Sequence, residues 1–199
     1  MKTVNAADEI LQTAAELFMR QGYRKTSLSA IGERLGMTAA AIYYHFRSKE
    51  DLLFTYLDAT MRQLMARSDA ALAGLSAPRD RLEAFAFTYV SVQLELLERL
   101  LPASSMTYGF SHLMDELGAV NGRKMAKLFR EYIETLSVII SDGVEQGDFT
   151  TTNVTASAFA VISLVEFAGL WFKPSETTIS EAAALYASHA VNMLSGPRS

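Results

Sequence analysis

Cysteine is absent from the 199-residue sequence, so neither a disulfide framework nor thiolate chemistry is available. Proline and glycine are sparse, with four and eleven residues, and no segment alternates strictly between apolar and polar residues. Because half-buried strands require that alternation, the sequence predicts an all-α protein. Half of the residues are hydrophobic, which allows a large core and also an apolar subunit interface.

Long hydrophobic runs are missing, with one exception. The first nine residues lack the basic and apolar regions of a signal peptide. Residues 156–172 are nearly all apolar, but this run includes Glu166 and is shorter than the roughly 20 residues that a membrane crossing needs. We therefore predict a buried helix, no membrane association and a cytoplasmic location.

A strong positive charge is lacking as well, since the net charge is −4. Residues 1–50 nevertheless carry seven Lys and Arg against five Asp and Glu, a net charge of +2, which leaves −6 for the rest. A mildly basic N-terminal part on an acidic remainder is typical of a protein that meets phosphate at one end only.

Helical spacing of apolar residues divides the chain into about nine helices. Apolar faces and capping residues place the first four at about 5–21, 27–35, 38–46 and 49–73. Further helical patterns follow at about 79–101, 103–117, 121–146, 152–172 and 178–195. The predicted organisation is a three-helix head over residues 1–48 and a helical body over residues 49–199, with helix four connecting them.

The most informative segment is residues 26–49, TSLSAIGERLGMTAAAIYYHFRSK. Two short amphipathic helices are joined there by a glycine turn at residues 35–38, which has the length that a helix-turn-helix requires. Ile42 and Phe46, four residues apart, are expected to face the core. The tyrosines and the histidine between them then lie where their polar groups reach phosphate oxygens. The pattern predicts a helix that projects into the major groove.

Residues 10–57 resemble the DNA-binding head of the TetR family. The resemblance lies in ILQTAAELFMRQGY, in TSLSAIGERLGM and above all in IYYHFRSKEDLL. The body resembles the family only in its layout and in the phrase GVEQGDF at residues 143–149. The resemblance implies a homodimer that binds double-stranded operator DNA through its heads and a small, largely hydrophobic effector through its bodies. The expected function is a repressor that the effector releases from its operator.

The resemblance also implies which side chains meet DNA. The expected contacts are Thr26, Ser27, Ser29, Thr38, Ala39, Ala40, Ala41, Tyr43, Tyr44, His45 and Lys49. The first three approach phosphates or a base edge, the next seven lie in the major groove or along its walls, and the lysine holds a phosphate.

The three alanines depart from the family pattern, because members often carry Lys, Arg, Gln or Pro together with Gly after the helix cap. A methyl group contacts a thymine methyl but makes no bidentate bond to a base. We therefore expect base selection to depend on Ser29, Thr38, Tyr43 and DNA shape. For Tyr43, packing of the ring against the head is the alternative.

The last two helices are the expected dimer interface, where each would pair with its symmetry mate in a four-helix arrangement. In the last helix, small residues allow close approach and larger ones fill gaps: Ala182, Ala183, Ala184, Ala187 and Ala190, with Leu185, Val191 and Leu194. Packing within one subunit is the alternative explanation for these alanines.

Methionines and aromatic residues of the body suit a cavity for a mostly hydrophobic ligand. The candidate pocket residues are Met61, Met65, Phe85, Phe87, Tyr89, Met106, Tyr108, Phe110, Met125, Phe129, Glu166, Phe167 and Trp171. Each apolar member also fits an ordinary core position. Glu166 needs a partner in its apolar surroundings, so it either orients a polar group of the ligand or pairs across the dimer interface.

Catalysis, cofactors and metal ions are not expected. The sequence has no nucleophile motif or glycine-rich phosphate loop, and its three histidines, at 45, 112 and 189, lie far apart. Two alternatives stay open for the regulator itself: a DNA-binding dimer without an effector, and an activator of transcription.

Overall fold

The structure is a computed structural model that describes residues 6–100 and 110–195. Within these ranges it is all-helical: α1 (Ala6–Gln21), α2 (Leu28–Leu35), α3 (Ala39–His45), α4 (Lys49–Leu72), α5 (Pro78–Leu100), α6 (Phe110–Met114), α7 (Ala119–Glu145), α8 (Val154–Glu166), α9 (Ala168–Trp171) and α10 (Ile179–Leu194). The predicted fold class is confirmed. The helix predicted at 152–172 is divided at Phe167 into α8 and α9.

Helices α1, α2 and α3 form the head because each buries one apolar face. In α1, Ile10 and Phe18 are buried at helical spacing. Gly22 ends this helix with a φ of 92°, a left-handed conformation that glycine adopts without strain. The Ser27 hydroxyl accepts a hydrogen bond from the Ala30 amide at 3.1 Å and so caps the start of α2.

The turn between α2 and α3 has the geometry of a helix-turn-helix. Gly36 ends α2 in the left-handed region, with φ 66°, and the Met37 amide donates to the Gly32 carbonyl at 2.8 Å. Thr38 then caps α3, because its hydroxyl accepts from the Ala41 amide at 3.2 Å. The turn fixes the direction in which α3 leaves the head.

Helix α4 connects the head to the body, where α5 is the central helix. Helix α4 packs on α1, α5 and α7, and α5 also contacts α8, α9 and α10. In the core between these helices, the rings of Phe85 and Tyr132 stack with centroids 4.6 Å apart. The Tyr132 and Ser68 hydroxyls share a buried hydrogen bond of 3.0 Å. A movement of α4 is therefore coupled to α5 and α7.

The alanines of α10 pack inside the subunit, so the prediction that they line the dimer interface is wrong for most of them. Helix α10 buries Ala182, Ala183, Ala187, Ala190, Val191 and Leu194. Their small volume lets α10 lie close to α5, its main neighbour. The opposite face of α10 exposes Ala184, Leu185 and Met193.

One stretch within the described residues, Val154–Trp171, is long and apolar enough to cross a membrane by length and composition. The helix turns at Phe167. One face, with Val161 and Val165, is buried against the rest of the subunit. The other is exposed, and Phe159 keeps half of its surface open. The prediction of a buried helix is therefore confirmed for the inner face and wrong for this outer face.

Candidate nucleic-acid interface and ligand cavity

Helix α3 presents its polar and aromatic side chains to solvent. Ile42 is fully buried and Phe46 nearly so, as expected from their spacing. Tyr43 and Tyr44, by contrast, are 57% and 87% exposed, and the His45 side chain is exposed beside Tyr44. A short helix anchored by two apolar residues with an open polar face fits the width of the major groove.

The caps of α2 and α3 lie on the open surface of the head. Ser27, Ser29, Thr38 and Ala40 are exposed, and Ala39 and Ala41 are partly exposed. The Ser27 and Thr38 hydroxyls are occupied as helix caps, but each retains capacity for one more hydrogen bond.

Thr26 is buried, which contradicts its predicted contact with phosphate or a base. Only 2% of its surface is exposed. Its hydroxyl donates toward the Gly22 carbonyl at 2.9 Å and accepts from the Gln21 side-chain amide at 3.1 Å. Thr26 therefore ties the end of α1 to the loop that follows it, and it has no surface from which to reach a duplex.

Lys49 has a structural role that the sequence did not reveal. Its ammonium group donates to the carbonyls of Tyr23 and Thr26, both at 3.0 Å, and lies 4.2 Å from the centre of the Tyr23 ring. An ammonium has three N–H donors, so one remains for a phosphate oxygen. Lys49 thus holds the loop before α2 against the start of α4.

Two exposed cations of the head, Lys25 and Arg47, were not among the predicted site residues. Neither side chain forms an ion pair in the part of the chain that the structure describes. Lys25 lies in the loop that Lys49 anchors, and Arg47 follows Phe46 in the turn before α4. Their charge was counted in the net charge of the head, but no local pattern in the sequence distinguishes them from cations that form ion pairs.

A cavity in the body lies between α1, α4, α5, α6 and α7. Its described lining residues are Met19, Tyr56, Thr60, Met61, Leu64, Tyr89, Val92, Gln93, Leu96, Leu97, Leu113 and Phe129. Of the predicted pocket residues, Met61, Tyr89 and Phe129 are in this set. The remaining lining residues were not predicted, because nothing in the sequence shows that the helices turn these positions toward one another.

Other predicted pocket residues lie elsewhere. Phe167 and Trp171 are 51% and 52% exposed on the outer surface of α8 and α9, so their assignment to the pocket is wrong. Phe85 and Met125 are buried core residues, and Met65 and Phe87 pack against the core without lining the cavity. Met106 and Tyr108 lie outside the described residues, as does the side chain of Phe110.

Two buried polar atoms of the cavity wall have no hydrogen-bond partner among the described residues: the Tyr56 hydroxyl and the Gln93 side-chain oxygen. Burial raises the pKa of Tyr56 to about 12. The Thr60 side chain and the charge of Arg99 act in the opposite direction and lower this pKa. The Thr60 hydroxyl itself donates to the Tyr56 carbonyl at 2.9 Å. The cavity is therefore apolar with two unsatisfied polar positions.

Glu166 lies at the end of α8, beside the cavity and not among its described lining residues. Its backbone carbonyl accepts a hydrogen bond from the Gln93 side-chain nitrogen. Burial raises the pKa of Tyr89 well above its usual value, and the Glu166 carboxylate adds to that rise. The Glu166 side chain thus acts on the cavity wall through Tyr89.

The corner between α6 and α7 joins the cavity to the head. Glu116 forms an ion pair with Arg24 of the head at 3.0 Å. Glu50, in the first turn of α4, accepts from the Gly118 amide at 3.2 Å and from the Asn121 side chain at 2.8 Å. The negative Glu50 also lies at the N-terminus of α7, where the helix dipole favours it.

No group of three or more potential metal ligands occurs within residues 6–100 and 110–195.

Two family models match the chain. One, described as bacterial regulatory proteins of the tetR family, matches residues 10–56, and a tetracyclin repressor-like C-terminal domain matches residues 75–194. The transcriptional regulator QacR of Staphylococcus aureus is 27% identical over 169 residues, which cover 82% of this chain and 86% of QacR. The transcriptional repressor KstR2 of Rhodococcus jostii is 23% identical over 201 residues, 95% of this chain and 91% of KstR2.

A solved structure of a tetR-family regulatory protein from Rhodococcus RHA1 superposes with a TM-score of 0.84. Its sequence is 26% identical, and the superposition covers 98% of this chain and all of the other.

Proposed function

The chain belongs to the tetR family of bacterial regulatory proteins, and from this membership we propose a homodimeric repressor that a small, largely hydrophobic effector releases from operator DNA. It is a DNA-binding transcription regulator. The repressor role is supported by the name of KstR2, a transcriptional repressor similar along most of the chain. The relatives are named as regulators and not as enzymes, and we propose a purely regulatory protein without a cofactor, located in the cytoplasm.

The proposed DNA contacts are the exposed side chains of α3 and its neighbours. Tyr43, Tyr44 and His45 would lie in or beside the major groove, and Ser29 near a base edge or a phosphate. Lys25 and Arg47 would add phosphate contacts, because both are exposed cations without an acidic partner in the described structure. Thr26 is left out of this set.

The observation that carries the effector proposal is the course of α4. This helix begins at Lys49, beside the loop that leads into α2, and reaches the cavity wall at Tyr56, Met61 and Leu64. A ligand in the cavity therefore touches the helix that carries the head. We keep the division into a head at residues 1–48 and a body at residues 49–199 as part of the proposal.

The corner between α6 and α7 supports a second path for the signal. Leu113 lines the cavity, and Glu116, a few residues later, pairs with Arg24 of the head. A ligand that binds better when α4 and this corner are displaced changes the separation of the two heads and weakens operator binding. Such coupling is typically worth about 1–3 kcal/mol, or roughly 5–150-fold in affinity.

The proposed dimer interface is the exposed apolar surface of α8, α9 and α10. It consists of Phe159, Phe167, Leu170, Trp171, Leu185 and Met193, each exposed in the single subunit. Helix α8 contacts both α9 and α10. Large apolar side chains exposed together on neighbouring helices favour a protein interface over a free surface. Two-fold pairing there would place two heads on one face of a duplex.

DNA binding is tested by selecting genomic fragments with the purified protein and measuring the affinity for a selected duplex by fluorescence anisotropy. Arg47→Ala is expected to weaken binding across all sequences and to lower the salt slope by about one per head. Arg130→Ala, the same change at an exposed position of α7, serves as the control and should leave both quantities unchanged. Selection of no specific fragment would contradict the proposal.

Effector release is tested with the same duplex. Hydrophobic compounds that raise the melting temperature are added to the complex, and dissociation is followed by anisotropy. Glu116→Gln removes the ion pair to Arg24 and is expected to reduce the effect of a compound on DNA affinity without changing its binding. Compounds that bind but never change DNA affinity would favour a DNA-binding dimer without an effector.

A further inference from the structure

We propose that the cavity binds an uncharged, largely apolar molecule that carries one hydroxyl group, and not an acid or an ammonium cation. This inference rests on the proposed function, which makes the cavity the effector site, and it adds the chemistry of the ligand. It follows from two polar atoms of the wall that have no partner among the described residues and from the lack of a charged side chain in the described lining.

The orientation of the Gln93 amide is fixed by its partner. Its nitrogen lies against the backbone carbonyl of Glu166, which only accepts hydrogen bonds, so the atom facing that carbonyl has to be the NH₂ group. The side-chain oxygen is therefore the atom left without a partner. An amide oxygen accepts and never donates, so the ligand must supply an O–H or N–H group to it.

Tyr56 sets the second requirement. Only 7% of its surface is exposed, and its hydroxyl has no hydrogen-bond partner among the residues that the structure describes. This phenol donates one hydrogen bond and accepts another, so it pairs with an oxygen of the ligand. A ligand hydroxyl meets both needs, because it donates to an amide oxygen and accepts from a phenol. An ether oxygen accepts only and leaves Gln93 unsatisfied.

The described part of the cavity wall carries no formal charge that could balance an ionic ligand. Glu95 and Arg99 line an adjoining groove that shares Thr60 and Val92 with the cavity. The Glu166 carboxylate lies behind Tyr89 and is not among the described lining residues. Burying a carboxylate or an ammonium group without an opposite charge is far more costly than burying a hydroxyl group.

The size of the cavity limits what fits without rearrangement. The space open to the centre of a water-sized sphere has a volume of about 50 Å³. On the same measure, one water molecule needs about 10–15 Å³. A hydroxyl and a short alkyl segment fit this space, and a longer chain requires side chains to move. Met19 and Met61 in the wall are unbranched and adapt readily.

Four probes of nearly equal length separate the possibilities: 1-octanol, methyl heptyl ether, octanoate and octylammonium. Binding to the full-length protein is measured by isothermal titration calorimetry. We expect 1-octanol to bind roughly tenfold more tightly than the ether, since only the alcohol replaces the hydrogen bonds that water can make to Gln93. Octanoate and octylammonium are expected to bind more weakly than both.

Two variants locate the effect. Tyr56→Phe removes a hydroxyl that holds nothing in the fold, and Gln93→Leu removes the unpaired acceptor. Both should reduce the preference for the alcohol over the ether. Gln146→Leu, an exposed glutamine at the end of α7, is the matched control and should keep the preference. If Gln93→Leu fails to fold because it loses the bond to Glu166, Tyr56→Phe still decides.

The outcomes separate this inference from the proposed function. Equal binding of alcohol and ether, or tightest binding of an ionic probe, overturns the ligand class, while release of the selected duplex by either probe still supports an effector-controlled repressor. Preferential binding of 1-octanol without any change in DNA affinity supports the ligand class and contradicts the effector role. Binding of none of the four probes overturns the ligand class, and the effector role is then decided by the other hydrophobic compounds that raise the melting temperature.

Discussion

Thr26 and Lys49 show how polar side chains of the head hold its backbone together. Both have groups that suit a phosphate contact. The buried Thr26 hydroxyl, however, is hydrogen-bonded to a backbone carbonyl and a side-chain amide. The Lys49 ammonium donates to two carbonyls of the loop before α2. The loop they hold presents Lys25 and Ser27 to solvent. Their contribution to DNA binding is thus mainly to position neighbouring residues.

The Thr26→Val variant is therefore expected to destabilise the protein by about 1–2 kcal/mol, because valine fills the same space but leaves a buried carbonyl without its donor. Chemical denaturation measures this change. Ser29→Ala alters an exposed hydroxyl three residues further on, in α2, and should change stability by less than about 0.5 kcal/mol. Equal stability of Thr26→Val and wild type would show that the buried hydroxyl contributes nothing to the fold.

Tyr56 makes the stability of the protein depend on pH in the alkaline range. Burial raises its pKa from 10.0 in the unfolded chain to about 12 in the folded protein, and burial raises those of Tyr89 and Tyr132 as well. Above pH 10 the unfolded chain therefore holds fewer protons than the folded one, so the free energy of unfolding falls as pH rises from 10 to 12. Below pH 10 this loss is absent.

The Tyr56→Phe variant is expected to be at least as stable as wild type at pH 8, because the hydroxyl that it removes has no hydrogen-bond partner among the described residues. Above pH 10 the variant is expected to lose stability less steeply than wild type. Urea denaturation between pH 8 and 11.5 tests both statements. Tyr132→Phe provides the contrast: it breaks the bond to Ser68 and should lower stability by about 1 kcal/mol already at pH 8. A steeper alkaline loss in Tyr56→Phe would refute the assignment.

Among the elements, the pair α2 and α3 depends on a close approach that only glycine permits. A Cβ at Gly32 would lie 2.6 Å from the Met37 carbonyl oxygen, a backbone atom of the turn that cannot rotate away. The same residue accepts the Met37 amide through its own carbonyl. The angle between the two helices is therefore set by contact of Gly32 with the turn.

Gly32→Ala is expected to destabilise the protein by about 1–3 kcal/mol and to weaken DNA binding, because the turn must move and α3 with it. Thermal unfolding and anisotropy on a selected duplex measure the two effects. Gly122→Ala in α7 is the matched control, since its Cβ would meet nothing closer than 3.7 Å and alanine favours a helix. If helix propensity dominated at Gly32 as well, both variants would be more stable than wild type.

At the scale of the whole molecule, one subunit leaves an apolar surface open across α8, α9 and α10. The stretch Val154–Trp171 is long and apolar enough to cross a membrane by length and composition. The proposed interface between two subunits would account for the same apolar character. The charge is divided as well, because the head is net positive and the rest net negative. Both features suit a dimer that meets DNA at one end.

The Phe159→Asp variant is expected to shift the protein from dimer to monomer, because each subunit would bury an unpaired carboxylate against its mate. Analytical ultracentrifugation measures the mass, and anisotropy should show at least about a tenfold loss of operator affinity when two heads no longer bind together. Val120→Asp places the same charge at an exposed valine at the start of α7 and should remain dimeric. A dimeric Phe159→Asp protein would place the interface elsewhere.

The sequence by itself determined the features that depend on neighbouring residues. Helix periodicity, the break at Gly36, the cap at Thr38 and the inward pair Ile42 and Phe46 all follow from interactions within a few residues, and each is found as predicted. The family motif in the head has the same local character. For these reasons the fold class and the helix-turn-helix were predictable.

Only the tertiary structure decided which residues meet across the chain. Gln93 finds the Glu166 carbonyl 73 positions away, and Lys49 finds the Tyr23 carbonyl 26 positions away. The sequence also gave no basis for dividing the alanines of α10 between core and surface, or for turning Trp171 outward. Burial and hydrogen bonding between residues so far apart in the sequence depend on how the helices pack. The composition shows only which apolar and polar groups are available, and not which of them meet.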